Sequence, residues 1–318
     1  ISEDVYRRLS REIGVNVLKP MESITIIPTA CYSDTLHIMS MWHDVGVNTH
    51  VVNDVSEYGF RRISEQEVYI ISRNGDNLVN YPLLMSHIHR IEGVNYIRGT
   101  ASIKLSDHNI KVLVNGRELQ GNYVILAAGA WNSIITKDAG LRVPLLPYKC
   151  QAAAFISGRV NSIVYDYVLG SYVRPLGSII DNALNVLGFS VIVGGDGNSK
   201  VTGPGREAGV DHEFLNEISN KVRTRIGRAL LIGSRFGYCE CTPDMRPVIG
   251  SIGLDNLLLI GGFNGYGAEV GPALALALVN YVFSGSWLDY VGPYLIDRFG
   301  GDWPSTWDIS VEAHELCV

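Results

Sequence analysis

The stretch YVILAAGAWN (residues 123–132) carries the clearest sign of the fold. Its first half is a short apolar run of the kind that forms a buried β-strand. The run then meets Ala127, Ala128 and Gly129, whose small side chains let another group come close to the backbone. A ligand or a tightly packed helix would both fit that space, and this stretch alone favours neither.

A similar arrangement returns in NLLLIGGFNGYGAEVGPALALALVNYV (residues 256–282). A buried strand leads into the loop FNGYG and then into a helix with Pro272 near its start, where proline is favoured. The glycines of the loop would let the chain pass beneath a flat ligand, and the helix start would point free N–H groups toward it. The alternative is an ordinary strand–loop–helix connection, which the double glycine followed by Gly-x-Gly disfavours.

Composition narrows the class of protein. The 318 residues are enough for two domains, and the net charge of −6, without a basic cluster, argues against a nucleic-acid-binding surface. The most apolar region, 254–283, is interrupted by polar residues and glycines, so the sequence predicts no membrane span. Five cysteines in a chain of this length do not make a disulfide framework, so we expect free thiols and a cytoplasmic protein. The cysteines and histidines match no metal-ligand spacing, and no metal site is expected.

Sequence patterns predict the local structure of the rest of the chain. Asn115-Gly116 predicts a tight hairpin, and residues 147–201 predict a large antiparallel sheet. Further helices are predicted over 3–14, 33–45, 81–92 and 212–227, with two short strands in 15–29 and single strands in 49–54 and 94–100.

Three segments, in this order and spacing, resemble the D-amino-acid oxidase superfamily of flavoenzymes, which includes glycine oxidase, sarcosine oxidase and the dye-linked proline dehydrogenases. They are residues 123–132, YCECTPDMRPVIGSI (238–252) and residues 256–282, while SYVRP (171–175) stands where the superfamily has a substrate-domain strand. The resemblance spans essentially the whole chain. It implies an α/β (α+β) fold in which a partial Rossmann-like FAD-binding domain is interleaved with an antiparallel-sheet substrate domain.

The resemblance also implies domain boundaries and a site. Residues 1–75 and 147–235 would form the substrate domain, and residues 76–146 and 236–318 the FAD-binding domain with a C-terminal tail. FAD would contact Ala127, Ala128, Gly129, Trp131, Gly262, Phe263, Asn264, Gly265, Tyr266 and Gly267. The implied reaction removes hydride from the carbon next to nitrogen in a small amine or amino acid of the proline, sarcosine or glycine type.

Three residues are candidates for catalysis: Tyr172, Arg174 and Tyr266. Arg174 would pair with a substrate carboxylate, and the alternative is a solvated arginine at a sheet edge. Tyr266 would gate the substrate or stack on it, and the alternative is plain packing.

The sequence departs from the superfamily at three points. Cys239 stands where glycine oxidase-like members carry an arginine, and Glu269 stands where sarcosine oxidase carries a lysine. An acid at that position does not promote the reduction of oxygen, which favours a dehydrogenase over an oxidase. The Gly-x-Gly-x-x-Gly phosphate loop is missing, because Ile1 begins at what resembles a later helix. Either the first βαβ unit lies outside this sequence, or a partner subunit supplies it, or the chain is a non-catalytic, degenerate homologue within a complex.

Overall fold

The computed structural model describes residues 1–106, 109–177, 179–196 and 200–309. Its helices are α1 (Ser2–Ile13), α2 (Tyr32–Asp44), α3 (Tyr81–His87), α4 (Asn132–Asp138), α5 (Ile179–Val186), α6 (His212–Ile226) and α7 (Gly267–Ser284). Its strands are β1 (Leu18–Pro28), β2 (Asn48–Val52), β3 (Glu67–Val79), β4 (Ala101–Ser106), β5 (Asn109–Val114), β6 (Arg117–Leu119), β7 (Val124–Leu126), β8 (Leu146–Gly158), β9 (Ile163–Asp166), β10 (Ser171–Pro175), β11 (Phe189–Asp196), β12 (Lys200–Val201), β13 (Ala229–Cys241), β14 (Val248–Ile252) and β15 (Leu254–Gly261).

Nine strands form one large sheet, in the order β12-β8-β11-β10-β9-β1-β3-β2, with β13 also paired to β8. Only β1 and β9 run parallel; every other neighbouring pair within the described residues is antiparallel. The two faces differ because side chains alternate along each strand. Ile24 and Ile26 of β1 lie in the core beneath α6, whereas Ser23 and Thr25 lie on the opposite face.

A buried ion network fixes α6 to the large sheet. Arg225 of α6 donates from Nε to Asp166 at 2.7 Å and from Nη2 to Glu67 at 3.0 Å. Burial opposes ionisation of Glu67, but the hydrogen bonds and charge of Arg225 outweigh it and lower the pKa of that carboxyl. Glu67 is therefore ionised at neutral pH, and both acids are paired with Arg225.

A second, three-stranded sheet has the order β14-β15-β7, with β15 and β7 parallel. One face packs under α7 through Leu258, Ile260 and Leu274. The other face, with Leu126 and Leu257, packs against Ile103 of the small sheet β4–β5–β6. This mixed architecture confirms the predicted fold class, while the domain boundaries themselves stay a prediction.

Several local predictions are confirmed. Helices α1, α2 and α6 lie where the periodicity places them, and Val114 pairs with Arg117 across the Asn115-Gly116 turn. Asn115 has φ 50° and Gly116 has φ 81°, the left-handed values that a two-residue hairpin turn requires.

Other local predictions are wrong. The two short strands predicted in 15–29 are one strand, β1, with a register shift between Met21 and Ser23. The helix predicted over 81–92 ends at His87 and continues as a 3-10 turn. The apolar run at 94–100 is no strand, because Tyr96 and Ile97 are exposed and pair with no sheet edge. The strand-rich region 147–201 contains the helix α5, since a short apolar run fits either structure.

The C-terminal tail docks on its own chain. Trp287 stacks on Tyr281 of α7 with ring centroids 4.2 Å apart, and the Nε1 of Trp307 donates to Cys241 Sγ at 3.4 Å. Residues 310–318 of the predicted tail lie outside the described residues. Within the described part of the chain, α7 alone has the length and hydropathy to cross a membrane, and its Leu274, Ala277 and Leu278 are buried against neighbouring elements.

Candidate active site

The two glycine-bearing segments leave the same edge of the three-stranded sheet. β7 and β15 are parallel neighbours, with Val124 opposite Leu257 and Leu126 opposite Leu259. Each strand continues from its carboxyl end into a loop and then a helix, α4 or α7. Ligands of open α/β sheets bind outside the carboxyl ends of the strands, so the topology brings both segments to one candidate site.

The backbone of both segments is open on one side. Gly129 and Gly265 have φ 55° and φ 88°, and a Cβ added at either would meet nothing within 4 Å. Gly262, with φ 68°, is enclosed instead, since an added Cβ would lie 2.7 Å from Thr242 Cγ2 and 3.0 Å from Leu145 Cδ2. The loop therefore rests on the protein at Gly262 and faces open space at Gly265.

A buried carboxyl ties the two segments together. Oε1 of Glu240, at the end of β13, accepts hydrogen bonds from Gly262 N at 3.0 Å and from Asn132 Nδ2 at 2.9 Å. Asn132 also accepts from Ala128 N at 2.9 Å through its Oδ1. A side chain at Gly261 would overlap Oε1 of Glu240, so that position requires glycine for close approach.

The same carboxyl has an oxygen without a partner. Glu240 is 4% exposed, and its Oε2 is buried with no hydrogen-bond partner. Burial disfavours the charged form and raises the pKa of Glu240 to about 7, against the opposing effect of the Gly262 and Asn132 hydrogen bonds. Sequence reasoning missed both Glu240 and Asn132 as site residues, although a lone acid within an apolar strand ending is a usable signal.

The polar face of the large sheet presents a second set of side chains. On β10, Tyr172 and Arg174 are two residues apart and so lie on the same face, and Tyr172 stands opposite Tyr165 of β9. The hydroxyl of Tyr165 donates to Asp76 Oδ1 at 3.4 Å, and Ser23 donates to the other oxygen of Asp76. Asp76 and Tyr165 were also missed, because they are far apart in sequence and follow no motif.

One hydrogen bond and one set of electrostatic interactions connect this polar face with the loop before α7 and with the start of α7. The hydroxyl of Tyr148 on β8 donates to Asn264 Oδ1 at 2.9 Å. Glu269, in the first turn of α7, interacts electrostatically with Asp76 and with Tyr165. Glu269 is solvent-accessible, but nearby protein atoms partly desolvate its carboxyl. This desolvation is the main cause that raises the pKa of the carboxyl, and the charge of Asp76 raises it further. These interactions place the start of α7 beside the polar sheet face, and the region between them is the candidate substrate cleft.

The residues predicted from the sequence lie in three places. Ala127, Ala128, Gly129 and Trp131 follow β7, and residues 262–267 follow β15, so they share one sheet edge. Trp131 is half-exposed and meets Tyr238 edge-on, with ring centroids 6.3 Å apart. Tyr172 and Arg174 lie on the sheet instead, and the guanidinium of Arg174 donates to its neighbour Pro175 O at 3.3 Å. Tyr266, 42% exposed, precedes α7. Their roles stay predictions.

The expectation of free thiols is wrong at Cys239. Cys239 of β13 forms a disulfide with Cys150 of β8, across Cα atoms 6.3 Å apart. The two strands are antiparallel neighbours, so they bring cysteines 89 positions apart into reach, which the sequence spacing does not reveal. Cys241 is the free, buried thiol among the described cysteines. The position where relatives are expected to carry an arginine is thus occupied by a crosslink.

Comparison with known proteins identifies the family. The model of the family "DAO: FAD dependent oxidoreductase" matches residues 75–281. The chain belongs to this family. It is therefore an FAD-dependent oxidoreductase, and the resemblance stated from the three segments is confirmed. A search of the curated proteins found no match.

Solved structures share the fold at low sequence identity. L-Proline dehydrogenase from P. horikoshii matches with a TM-score of 0.78 and 22% identity, over 94% of this chain and 81% of that one. Glycine oxidase from Geobacillus kaustophilus matches with a TM-score of 0.71 and 17% identity, over 93% and 80%. L-Amino acid deaminase from Proteus myxofaciens matches with a TM-score of 0.75 and 13% identity, over 94% and 80%.

The residues present fit the FAD that the family requires. Open space beside Gly129 and Gly265 gives a flat or extended ligand access to the backbone. The unpaired Oε2 of Glu240 is a buried polar atom of the kind that a ligand satisfies. The start of α7 directs free N–H groups to the same edge, where they favour negative charge on a bound group.

We expect Gly262→Ala to destabilise the protein, because the new Cβ would crowd Thr242 and Leu145 at a left-handed backbone position. The free energy of unfolding should fall by roughly 1–3 kcal/mol, measured by urea denaturation. Gly267→Ala is the matched control: this glycine begins α7, and an added Cβ would meet Phe263 at 3.5 Å, an ordinary contact. Equal unfolding midpoints for the two variants would contradict the enclosed position of Gly262.

Proposed function

We propose that this chain is an FAD-dependent dehydrogenase of a small amine or amino acid of the proline, sarcosine or glycine type. The observation that carries the proposal is the electrostatic interaction of Glu269, at the start of α7, with Asp76 and Tyr165 on the polar sheet face. Support comes from the family and from the matched folds of a proline dehydrogenase and a glycine oxidase.

Bound FAD supplies the chemistry, by accepting hydride from the carbon next to the substrate nitrogen. The chain's own residues would hold the two partners. The segments after β7 and β15 would bind the dinucleotide, and the N–H groups at the start of α7 would favour negative charge on the reduced ring. Tyr148, through its hydrogen bond to Asn264, would keep the loop before α7 fixed against the sheet.

Opposite charges in the cleft would orient the substrate. Glu269 and Asp76 attract an ammonium or protonated amine, whereas Arg174 on the same sheet face matches a carboxylate. Tyr172, beside Arg174, would cover the substrate, and Tyr266 would do so from the loop. An amino acid carries both charges, so it fits this arrangement better than a simple amine.

The electron acceptor follows from Glu269. Reduction of oxygen develops negative charge, which a nearby cation stabilises and an acid does not. The carboxyl of Glu269 stands in the first turn of α7 near Asp76, a second acid. This favours a dehydrogenase that passes electrons to another acceptor.

The open edge of β7 supports a missing structural unit. Among the described strands β7 pairs only with β15, and Ile125, on the sheet face that packs under α7, is 44% exposed. Leu276, Val279 and Phe283 form an exposed apolar stripe along α7, at helical spacing. A βαβ unit carrying the phosphate loop would extend the sheet at β7 and cover this stripe with its helix. This chain covers 81% and 80% of the matched proline dehydrogenase and glycine oxidase chains. The remaining part of those chains is long enough to contain such a unit.

The source of that unit decides between an autonomous enzyme and a subunit. We expect the native protein to be either a longer polypeptide or a complex whose partner carries Gly-x-Gly-x-x-Gly. Intact-mass analysis of the protein purified from its source distinguishes the two. A monomer of only these 318 residues with stoichiometric FAD would contradict the need for an additional phosphate-loop unit, but not the proposed flavin chemistry. Localisation stays a proposal as well: few cysteines favour the cytoplasm, while the Cys150–Cys239 disulfide favours an oxidising compartment.

We expect Arg174→Met to weaken binding of amino acids selectively. Proline, or pyrrolidine, which lacks the carboxylate, would be added stepwise under anaerobic conditions. Reduction of the bound flavin would be measured as the loss of its visible absorbance. The half-saturating proline concentration should rise by about 10- to 100-fold, the usual value of a hydrogen bond to a charged group, and that of pyrrolidine should not change.

The control is Arg8→Met on the exposed face of α1, which should leave both titrations as in the wild type. An equal effect of Arg174→Met on proline and pyrrolidine would contradict a carboxylate-binding role. Failure of every amine and amino acid tested to reduce the flavin would contradict the proposed reaction.

A further inference from the structure

The geometry points to Glu240 as a neutral carboxylic acid whose Oε1 holds the two glycine-bearing segments together and whose protonated Oε2 donates a hydrogen bond to the bound flavin nucleotide. The inference rests on the proposed flavin site and assigns to it a positioning residue that lies outside the three segments' glycines. It is carried by the position, the partners and the surroundings of this one side chain.

The position is unusual for an acid. Glu240 is at the end of β13, where a strand of the large sheet passes beneath the loop after β15; its backbone oxygen accepts from Asn264 N at 3.1 Å. The side chain is 4% exposed and lies between Asn132 at the start of α4 and Gly262. No other side chain in the described contacts joins both glycine-bearing segments to the large sheet.

The surroundings favour the neutral form. A buried carboxylate is costly unless it is paired with a cation, and the protein shows the paired case elsewhere, where Arg225 serves Glu67 and Asp166. Within the described residues no lysine, arginine or histidine forms an ion pair with Glu240. Its two donors, Gly262 N and Asn132 Nδ2, are uncharged and both serve Oε1. Oε2 has neither a donor nor a cation, so a proton on it removes the uncompensated charge.

A neutral acid also suits the ligand. A flavin dinucleotide carries a pyrophosphate, and its ring gains negative charge on reduction, so a carboxylate in this place would oppose both. A protonated Oε2 offers instead a donor toward oxygen or nitrogen acceptors of the ligand. The burial that raises the pKa of Glu240 to about 7 places the change of charge in the physiological range.

The titratable neighbours of Glu240 on β13 and β8, Cys241 and Tyr148, do not share this range. Cys241, next in the strand, interacts electrostatically with Glu240, and burial raises the pKa of its thiol to about 11. Tyr148 on the neighbouring β8 also has its pKa raised by burial, so it stays protonated. The contacts from α4 and from the loop after β15 are Asn132 and Gly262, which do not titrate.

The decisive variant is Glu240→Gln. Glutamine keeps an oxygen for Gly262 N and Asn132 Nδ2 and places an N–H₂ donor at Oε2, so it copies the neutral acid but cannot ionise. The control is Glu213→Gln, which changes an exposed acid on α6. The first measurement is the dissociation constant of FAD for the native protein after flavin removal, between about pH 6 and pH 8.5.

We expect the affinity of the wild type for FAD to fall as the pH rises above about 7, because ionised Glu240 must be reprotonated for binding. The decrease should approach tenfold per pH unit. Glu240→Gln should bind FAD with no such dependence and, at the acid end, within a few-fold of the wild type. Glu213→Gln should follow the wild type. A wild-type affinity that is flat or rises with pH, or the same slope in Glu240→Gln, would overturn the inference while leaving the flavin site itself intact.

A second measurement does not need the cofactor. Infrared difference spectra of the apoprotein across the same pH range should show a protonated-carboxyl carbonyl band that weakens as the pH rises and is smaller in Glu240→Gln. An equal band in Glu240→Gln, or none in the wild type, would overturn the neutral acid. Absence of FAD binding by the native protein at every pH would instead overturn the proposed function, and with it the ligand of Oε2.

Discussion

The hydrogen bonds from Asn132 and Gly262 to one buried oxygen of Glu240 are the constraint on which the site depends. They connect three parts of the chain: the turn after β7, the end of β13 and the loop after β15. Each part alone is a strand followed by small residues. Joined through Glu240, they become one rigid edge with glycines open to a ligand, and the absence of a side chain at Gly261 lets the carboxyl enter.

The large sheet supplies the opposite wall of the cleft. Its core face packs against α6 and is fixed to it by the buried ion network of Arg225. The opposite face is not covered by α6 and carries Tyr165, Tyr172 and Arg174. The start of α7 then adds Glu269 opposite them. In the proposed function a fold built in this way separates the two tasks, because the three-stranded sheet would present the cofactor and the large sheet the substrate.

The sequence predicts those features that depend on neighbouring residues. The strand–loop–helix units after β7 and β15 follow from apolar runs and glycines, and the Asn115-Gly116 hairpin follows from its turn chemistry. Strand β3 escaped prediction because Asn74-Gly75 resembles a turn, whereas Asn74 takes φ 65° at an irregularity within the strand. The polar network escaped for another reason: Asn132 and Glu240 are 108 positions apart, and Tyr165 and Asp76 are 89 apart. Only the folded sheets bring such pairs together.

The same limit applies to Cys239. Its spacing to Cys241 is visible in the sequence, but its partner Cys150 is chosen by the pairing of β8 with β13. The crosslink fills the position of the arginine expected from the resemblance, so in the proposed function another element would bind the carboxylate. Arg174, on the same face of β10 as Tyr172, is the proposed residue.

The visible absorption spectrum of the native protein, recorded before and after acid precipitation, tests the central claim most directly. The account predicts the spectrum of oxidised flavin, and predicts that the colour moves entirely into the supernatant, because the site binds FAD without a covalent bond. A colourless protein that stays colourless when FAD is added would contradict the account.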